Sequence, residues 1–438
     1  MNIPTSQLKK VSEYFHHVFS IFWGSFSQFC GLFAYLYCTH FLTYTFSGEV
    51  VAHFFVVNSA AVLVGQLLTA GLDGKLYYNA IIAAAGRRQL KESLFVYLSI
   101  AAFISLPLAI LAPEIFPFPL STPAFVFFLT TILAQPLIDY FIAYSLSQKN
   151  FNLSNVLVAA PWCLRASALF CISYLYPGFS STQDSETIYL IFSLSSVICS
   201  LLGVSYYICK YDYAFPGFRR VFGLVRPDLL LPSRVNALYL SLNIFGLIPY
   251  STAPYILLLL THEVQDVASI GLFISLLSVA NGITSVYNTR FCLPLLFKFV
   301  SNRKLPQIPV RIIVYNLPLL VVYACIFSEI KLWDGSILSS LFGQSGYLLY
   351  NFIPYLASFA FLSVFSVPAQ ALLSGGSSLR PSAFVRCISC FVSLIIAMLL
   401  VPHSGIVGSL LSLAAFNVTQ VIGYIFVFKL APTLDGIR

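Results

Sequence analysis

Hydrophobic positions in this chain come in long unbroken runs. They show neither the alternation of a half-buried strand nor the one-sided stripe of a soluble helix. A helix needs about 20 apolar residues to cross a bilayer. Runs of that length are predicted at 18–40, 50–71, 94–115, 122–146, 153–176 and 187–209, and again at 237–260, 267–289, 310–330, 347–373, 382–402 and 405–429. Between the two sets lies KYDYAFPGFRRVFGLVRPDLLLPSR, Lys210–Arg234, a basic stretch bearing three prolines. The pattern predicts an all-α integral membrane protein of twelve transmembrane helices in two six-helix bundles. Residues 1–209 form the first bundle, 210–236 a basic cytoplasmic connecting loop, and 237–438 the second.

The distribution of charge orients this map. With the N-terminus inside, all but two of the 23 basic residues fall in inner loops or at inner helix ends. Lys331 lies outside and Arg165 within a span. The outer loops hold Glu49, Glu114, Asp184, Glu186, Glu263, Asp266, Glu329 and Asp334. By the positive-inside rule both termini are cytoplasmic, and loss of one span would invert every later loop and erase the bias. Composition agrees: 59% of residues are hydrophobic and 9% charged, against roughly 25% charged in soluble domains. The net charge of +8 resides in short loops and does not point to nucleic acid. The cysteines lie mostly in apolar runs and predict no disulfide framework; Cys387 and Cys390 lie one helical turn apart with no second pair to complete a metal site. The first run lacks a cleavage site and is expected to be retained as a helix.

Polar side chains within spans must face protein or water, because lipid cannot satisfy them. Four spans carry such residues at helical spacing. The first has Ser20, Gly24, Ser27, Gly31 and Tyr35; the second has Asn58, Gln66, Thr69 and Asp73. The seventh has Asn236, Tyr239, Asn243, Gly246 and Tyr250. The eighth has Gly271, Ser275, Ser278, Gly282, Ser285 and Asn288, with Asn281 beside them. Glycine and serine serve close helix packing equally well, but the amides favour a wet cleft between two lobes. Two ionisable residues lie deep in consecutive spans, Asp139 and Arg165. They fit either a pair that locks two helices or separate roles, Arg165 as a cation for a phosphate and Asp139 as an ion carrier.

The chain repeats weakly. Lys75 followed by Arg87–Arg88 after the second span matches Arg290 followed by Arg303–Lys304 after the eighth. Pro136 with Lys149 matches Pro368 with Arg380. No nucleotide-binding Gly-rich loop is present, and His40, His53, His262 and His403 lack metal-ligand spacing. The expected protein is therefore not an enzyme and needs no cofactor or metal.

Two sets of six spans, the polar first, second, seventh and eighth, and AGLDGKLYY followed by GRR at the inner end of the second resemble the Wzx-type O-antigen flippases of the multidrug/oligosaccharidyl-lipid/polysaccharide (MOP) exporter superfamily. The resemblance implies a MATE-like inverted V of two bundles in the inner cytoplasmic membrane. It implies ion-gradient-driven movement of a polyprenyl-pyrophosphate-linked oligosaccharide from inner to outer leaflet, with membrane lipids, a glycan polymerase and glycosyltransferases as partners. On this expectation Lys75 and Arg290 capture the head group at the inner mouth, Arg165 acts deeper, and Asn243, Asn281 and Asn288 contact sugar. The alternative is a major-facilitator-type small-solute transporter, although GLDGKLYYNAIIAAAGRR does not meet that family's second-loop pattern. A membrane-embedded glycan polymerase would carry a large basic outer loop, and none is expected here.

Overall fold

The computed structural model describes residues 26–69, 116–147, 151–176, 178–179, 182–211, 234–296, 305–333, 335–374 and 379–430, with single positions at 107, 111 and 114. Helix α1 occupies 26–45, α2 Gly48–Thr69, α3 Thr122–Ser147, α4 Phe151–Leu175 and α5 Thr182–Tyr211. In the second half come α6 Arg234–Thr261, α7 Val264–Tyr287, α8 Ile308–Tyr315, α9 Leu317–Leu332, α10 Ser336–Tyr350, α11 Ile353–Ser374 and α12 Leu379–Leu430. No strand occurs among the described residues. Eight helices there are long and apolar enough to cross a membrane, and the α8–α9 pair makes a ninth if read as one bent span. The protein is a multi-pass membrane protein. The predicted span 94–115 and the loop 212–233 lie outside the described residues, so the count of twelve and the orientation stand as expectations.

Three departures from the predicted spans have local causes. The predicted span 310–330 is broken into α8 and α9, which meet at 53°. Pro318 lies at the start of α9, lacks the N–H that would reach residue 314, and crowds that carbonyl, leaving Asn316 non-helical at φ −96°. The segment before 347, expected as an outer loop, forms α10, which buries Leu338, Phe342 and Leu349. Its Gly- and Ser-rich sequence hid this helix, whose backbone turns at Gly343 with φ 59°. The stretch α12 comprises two successive helices, in line with the predicted spans 382–402 and 405–429. Gly405 divides it at φ 51°, where a helix start was predicted. Helix α1 continues to residue 45, past the predicted end at 40. Thr39 and Thr43 there donate their hydroxyls to the carbonyls of Tyr35 and Thr39 at 3.0 and 2.9 Å, which hides their polarity.

One apolar core joins the two halves. It packs Phe46, Phe54 and Phe55 of the first half with Leu257, Leu258, Phe273, Phe359 and Leu410 of the second. All of these lie toward the ends predicted to face outward. The ring of Phe55 lies where a Cβ on Gly271 would be, 2.2 Å away, so the small residue sets how closely α2 and α7 approach. At the opposite ends, the clusters around Cys292, Leu296, Ile312 and Phe428 and around Leu242 and Leu379 draw on second-half residues only. Among the described residues, then, the halves close at the outer end and do not share a core at the inner end.

Candidate functional site

Below that closure lies a cavity of about 530 Å³ between the halves. Its wall includes Gln28 and Tyr35 of α1, Asn58 of α2, Thr131 and Gln135 of α3, and Trp162 and Arg165 of α4. Tyr250 of α6 and Ser278, Gly282 and Ser285 of α7 complete it from the second half. The four spans singled out by their polar residues do converge here. The third and fourth helices converge with them, which the polar pattern had shown only through Asp139 and Arg165. No carboxylate lines the cavity among the described residues.

Arg165 is the cation of this wall and is 5% exposed. It sits 14 residues from the start of α4, about 21 Å along the helix, inside the hydrocarbon depth. Its Nε donates to Ser195 Oγ at 3.0 Å and its Nη2 to Ser196 Oγ at 2.6 Å, both on α5. The guanidinium carbon lies 4.5 Å from the Trp162 ring centroid and 4.7 Å from that of Phe192. Tyr35 meets Trp162 edge-on at 4.4 Å. Two hydroxyls and two ring faces thus hold the charge, and Nη1 is left without a protein partner beside the cavity. The rings are worth up to about 2 kcal/mol each to a desolvated cation. That helps offset the roughly 2.5–3.5 kcal/mol cost of a charge at the centre of a membrane helix.

Asp139 is half-buried on α3 and does not pair with Arg165. Its Oδ2 accepts Gln66 Nε2 from α2 at 2.7 Å and its Oδ1 accepts Gln135 Nε2 at 3.0 Å. The geometry is therefore not that of a pair locking two helices.

The remaining predicted residues are scattered. Lys75 lies outside the described residues. Asn243 and Asn281 are half-buried on α6 and α7 but do not line the cavity; Asn281 Oδ1 is buried without a partner. Asn288, expected to contact sugar, is fully buried instead. It donates to Thr284 O at 2.9 Å and accepts Asn316 Nδ2 at 3.1 Å, joining α7 to the break before α9. Arg290 is half-buried on the π-turn Asn288–Cys292 at the end of α7. Gln28, Gln135 and Trp162 were missed, although helical spacing pointed to each: Gln28 is two turns before Tyr35, Gln135 one turn before Asp139, and Trp162 one turn before Arg165. Gln28 also bonds across to Asn155 Oδ1 at 2.7 Å.

No family model and no curated protein matches the sequence. The fold, however, is similar to that of several solved transporters. It resembles an inward-facing multidrug resistance MATE family transporter of the MOP superfamily, with a TM-score of 0.63 at 14% identity over 91% of this chain and 94% of that one. An outward-facing transporter of the same description gives 0.56 at 13% identity over 94% and 95%. A MOP superfamily transporter from Pyrococcus furiosus, described by the reverse polarity of its binding pocket, gives 0.57 at 14% identity over 94% and 96%. At such identities the likeness is one of fold, and it extends over nearly the whole chain. The protein is thus an all-helical membrane protein with a MATE-like fold.

Proposed function

We propose that the protein is a transporter that flips a polyprenyl-pyrophosphate-linked oligosaccharide from the inner to the outer leaflet of the cytoplasmic membrane, coupled to an ion gradient. The observation that carries this reading is the lining of the cavity: amides, hydroxyls and aromatic rings, set among apolar side chains such as Leu32, Leu247 and Ile274, around a buried guanidinium, with no acid among the described residues. Sugars bind through amide and hydroxyl hydrogen bonds and through aromatic faces, and a phosphate or other oxyanion binds a guanidinium. A cationic drug would instead need a carboxylate in the wall. Among the described residues the halves share no core at the inner end, where the cargo is made, and the apolar tail of such a cargo can stay in lipid between them. Neither the fold likenesses nor the second-loop sequence supports a major-facilitator transporter.

In this reading Arg165 holds an anionic group of the cargo, with Lys75 and Arg290 drawing it in at the inner mouth. Gln28, Asn58 and Gln135 contact sugar in the cavity, and Asn243 and Asn281 do so on the approach to it. Asp139 carries the coupling ion. Membrane lipids, a glycan polymerase and glycosyltransferases are the partners. The test is surface glycan display measured against protein level in the membrane. Arg165→Gln should insert normally and reduce display at least about tenfold, as loss of a charge-assisted hydrogen bond implies. Arg290→Gln should reduce it, while Arg303→Gln in the adjoining loop should not. Normal display by Arg165→Gln and Arg290→Gln at normal protein level overturns the reading.

A further inference from the structure

Asp139 is not among the residues that line the cavity, yet a side chain that holds it is. Gln135 stands one turn before Asp139 on α3. It donates Nε2 to Asp139 Oδ1 at 3.0 Å and forms part of the cavity wall. An ionised carboxylate can only accept hydrogen bonds. Gln135 must therefore turn its NH2 group toward Asp139, which leaves its Oε1 available to the cavity that the residue lines. Gln66 holds the other carboxylate oxygen from α2 at 2.7 Å. The nearby cation of α4, Arg165, is engaged with Ser195 and Ser196 of α5 instead.

We propose that Gln135 is the residue through which the charge on Asp139 acts on the cavity. The step is a single protonation. When a proton binds Asp139, one O–H bond forms and the acid becomes a donor. Gln135 then turns its terminal amide over, accepts that O–H with Oε1, and presents Nε2 to the cavity. No other bond is made or broken. At this position the wall changes from hydrogen-bond acceptor to donor. Phosphate and carboxylate groups only accept, so the protonated state of Asp139 favours an anionic group in the cavity beside Arg165, and the ionised state disfavours it. Gln135 is thus a positioning residue that links ion and cargo. The inference rests on the ion-coupling role assigned to Asp139 above.

The test needs no cargo. The chain has three tryptophans, and Trp23→Phe with Trp333→Phe leaves Trp162, which lines the cavity beside Arg165. In nanodiscs, Trp162 fluorescence is quenched with iodide, an anion, and with acrylamide, a neutral control. Asp139→Asn, which supplies a donor without a charge, should raise the iodide-to-acrylamide quenching ratio about twofold or more, the equivalent of one net hydrogen bond. In a Gln135→Leu background the same substitution should leave the ratio unchanged. Asp139→Ser, also neutral and a donor, repeats the comparison if the Asn variant does not fold. A ratio that does not respond to either neutral variant overturns the proposal. So does a rise of equal size with Leu at 135, because simple loss of negative charge would act in both backgrounds. Failure here leaves the glycan-display result on Arg165 standing, and failure of that result leaves this one standing.

Discussion

The Arg165 site predicts that removing its charge is less damaging to the fold than removing the groups that hold the charge. Arg165→Met deletes two charge-assisted hydrogen bonds, each worth about 1.5–3 kcal/mol, and two ring contacts of up to about 2 kcal/mol each. Against that, it removes a cation whose burial costs roughly 2.5–3.5 kcal/mol. The Met sulfur also regains about 0.3–1.5 kcal/mol against each ring. Nor is Ser195 stranded, since its hydroxyl already donates to the Phe192 carbonyl at 2.9 Å. At the middle of these ranges the four terms leave a loss of about 2–4 kcal/mol. Ser195→Ala with Ser196→Ala keeps the cation buried and strips both acceptors, with no relief of desolvation. Its cost is about 3–6 kcal/mol, because a buried charge without its partners bears the full penalty. The assay is equilibrium unfolding in mixed detergent micelles, with surface glycan display run in parallel. Arg165→Met should be the more stable variant and should transport poorly, so that stability and function separate. A Met variant less stable than the double Ala variant would refute the reasoning about the site.

Four further outcomes follow from other parts of the protein. Asp266 on α7 accepts the backbone N–H of Ile406, just past the break in α12, and so caps a helix from a neighbouring element; Asp266→Ala should cost about 1 kcal/mol of unfolding free energy. Gly405→Ala should cost about 1–2 kcal/mol, because φ there is 51° and the new Cβ would stand 3.1 Å from the Asp266 carboxylate. Gly271→Leu should force Phe55 off α7 and open the outer closure, so that a cysteine replacing Ser278 in the cavity becomes reactive to an impermeant thiol label added outside; unchanged labelling would show that the closure does not depend on this contact. For the orientation, a cysteine replacing Gly217 in the basic central loop should escape the same label in intact cells, and labelling at the rate of an outer-loop control would reverse the topology.

The elements most legible in the sequence were those whose signal is hydrophobic length. The spans at 122–146, 153–176 and 237–260 match α3, α4 and α6 to within about three residues. Even the break within α12 was readable, since Pro402 and Gly405 interrupt an otherwise continuous apolar run. Helix α10 was not, because apolar length is a poor guide to a short helix that buries one face against neighbours and is rich in Gly and Ser. The cavity was legible in part. Polar residues at helical spacing identified Tyr35, Asn58, Tyr250, Ser278 and Gly282, which line it. The same rule failed for Asn288, and the reason is physical. In a membrane protein a polar side chain is satisfied equally well by a water-filled cleft or by another helix. Asn288 bonds to Thr284 and to Asn316, which lies 28 residues further along the chain, and nothing in the local pattern distinguishes that outcome.

The separation of Asp139 from Arg165 has a consequence for mechanism. Two opposite charges in neighbouring helices, in a medium where an unpaired charge is costly, would gain most by pairing. Arg165 is held instead by two hydroxyls and two rings, and Asp139 accepts the amides of Gln66 and Gln135. Pairing would cancel both charges and leave neither able to respond to an ion or to an anionic cargo. The neutral partners of Arg165 keep its charge in place without cancelling it. If the charges were merely structural, bringing them together would be tolerated. Replacing Gln135 by Glu places a second acid one turn from Asp139 and on the cavity wall. On the present reasoning it should abolish glycan display while leaving insertion intact, because an acid now faces the space that Arg165 keeps for an anion. Display at the unmodified level would mean that the sign of charge in the cavity does not govern what the protein moves.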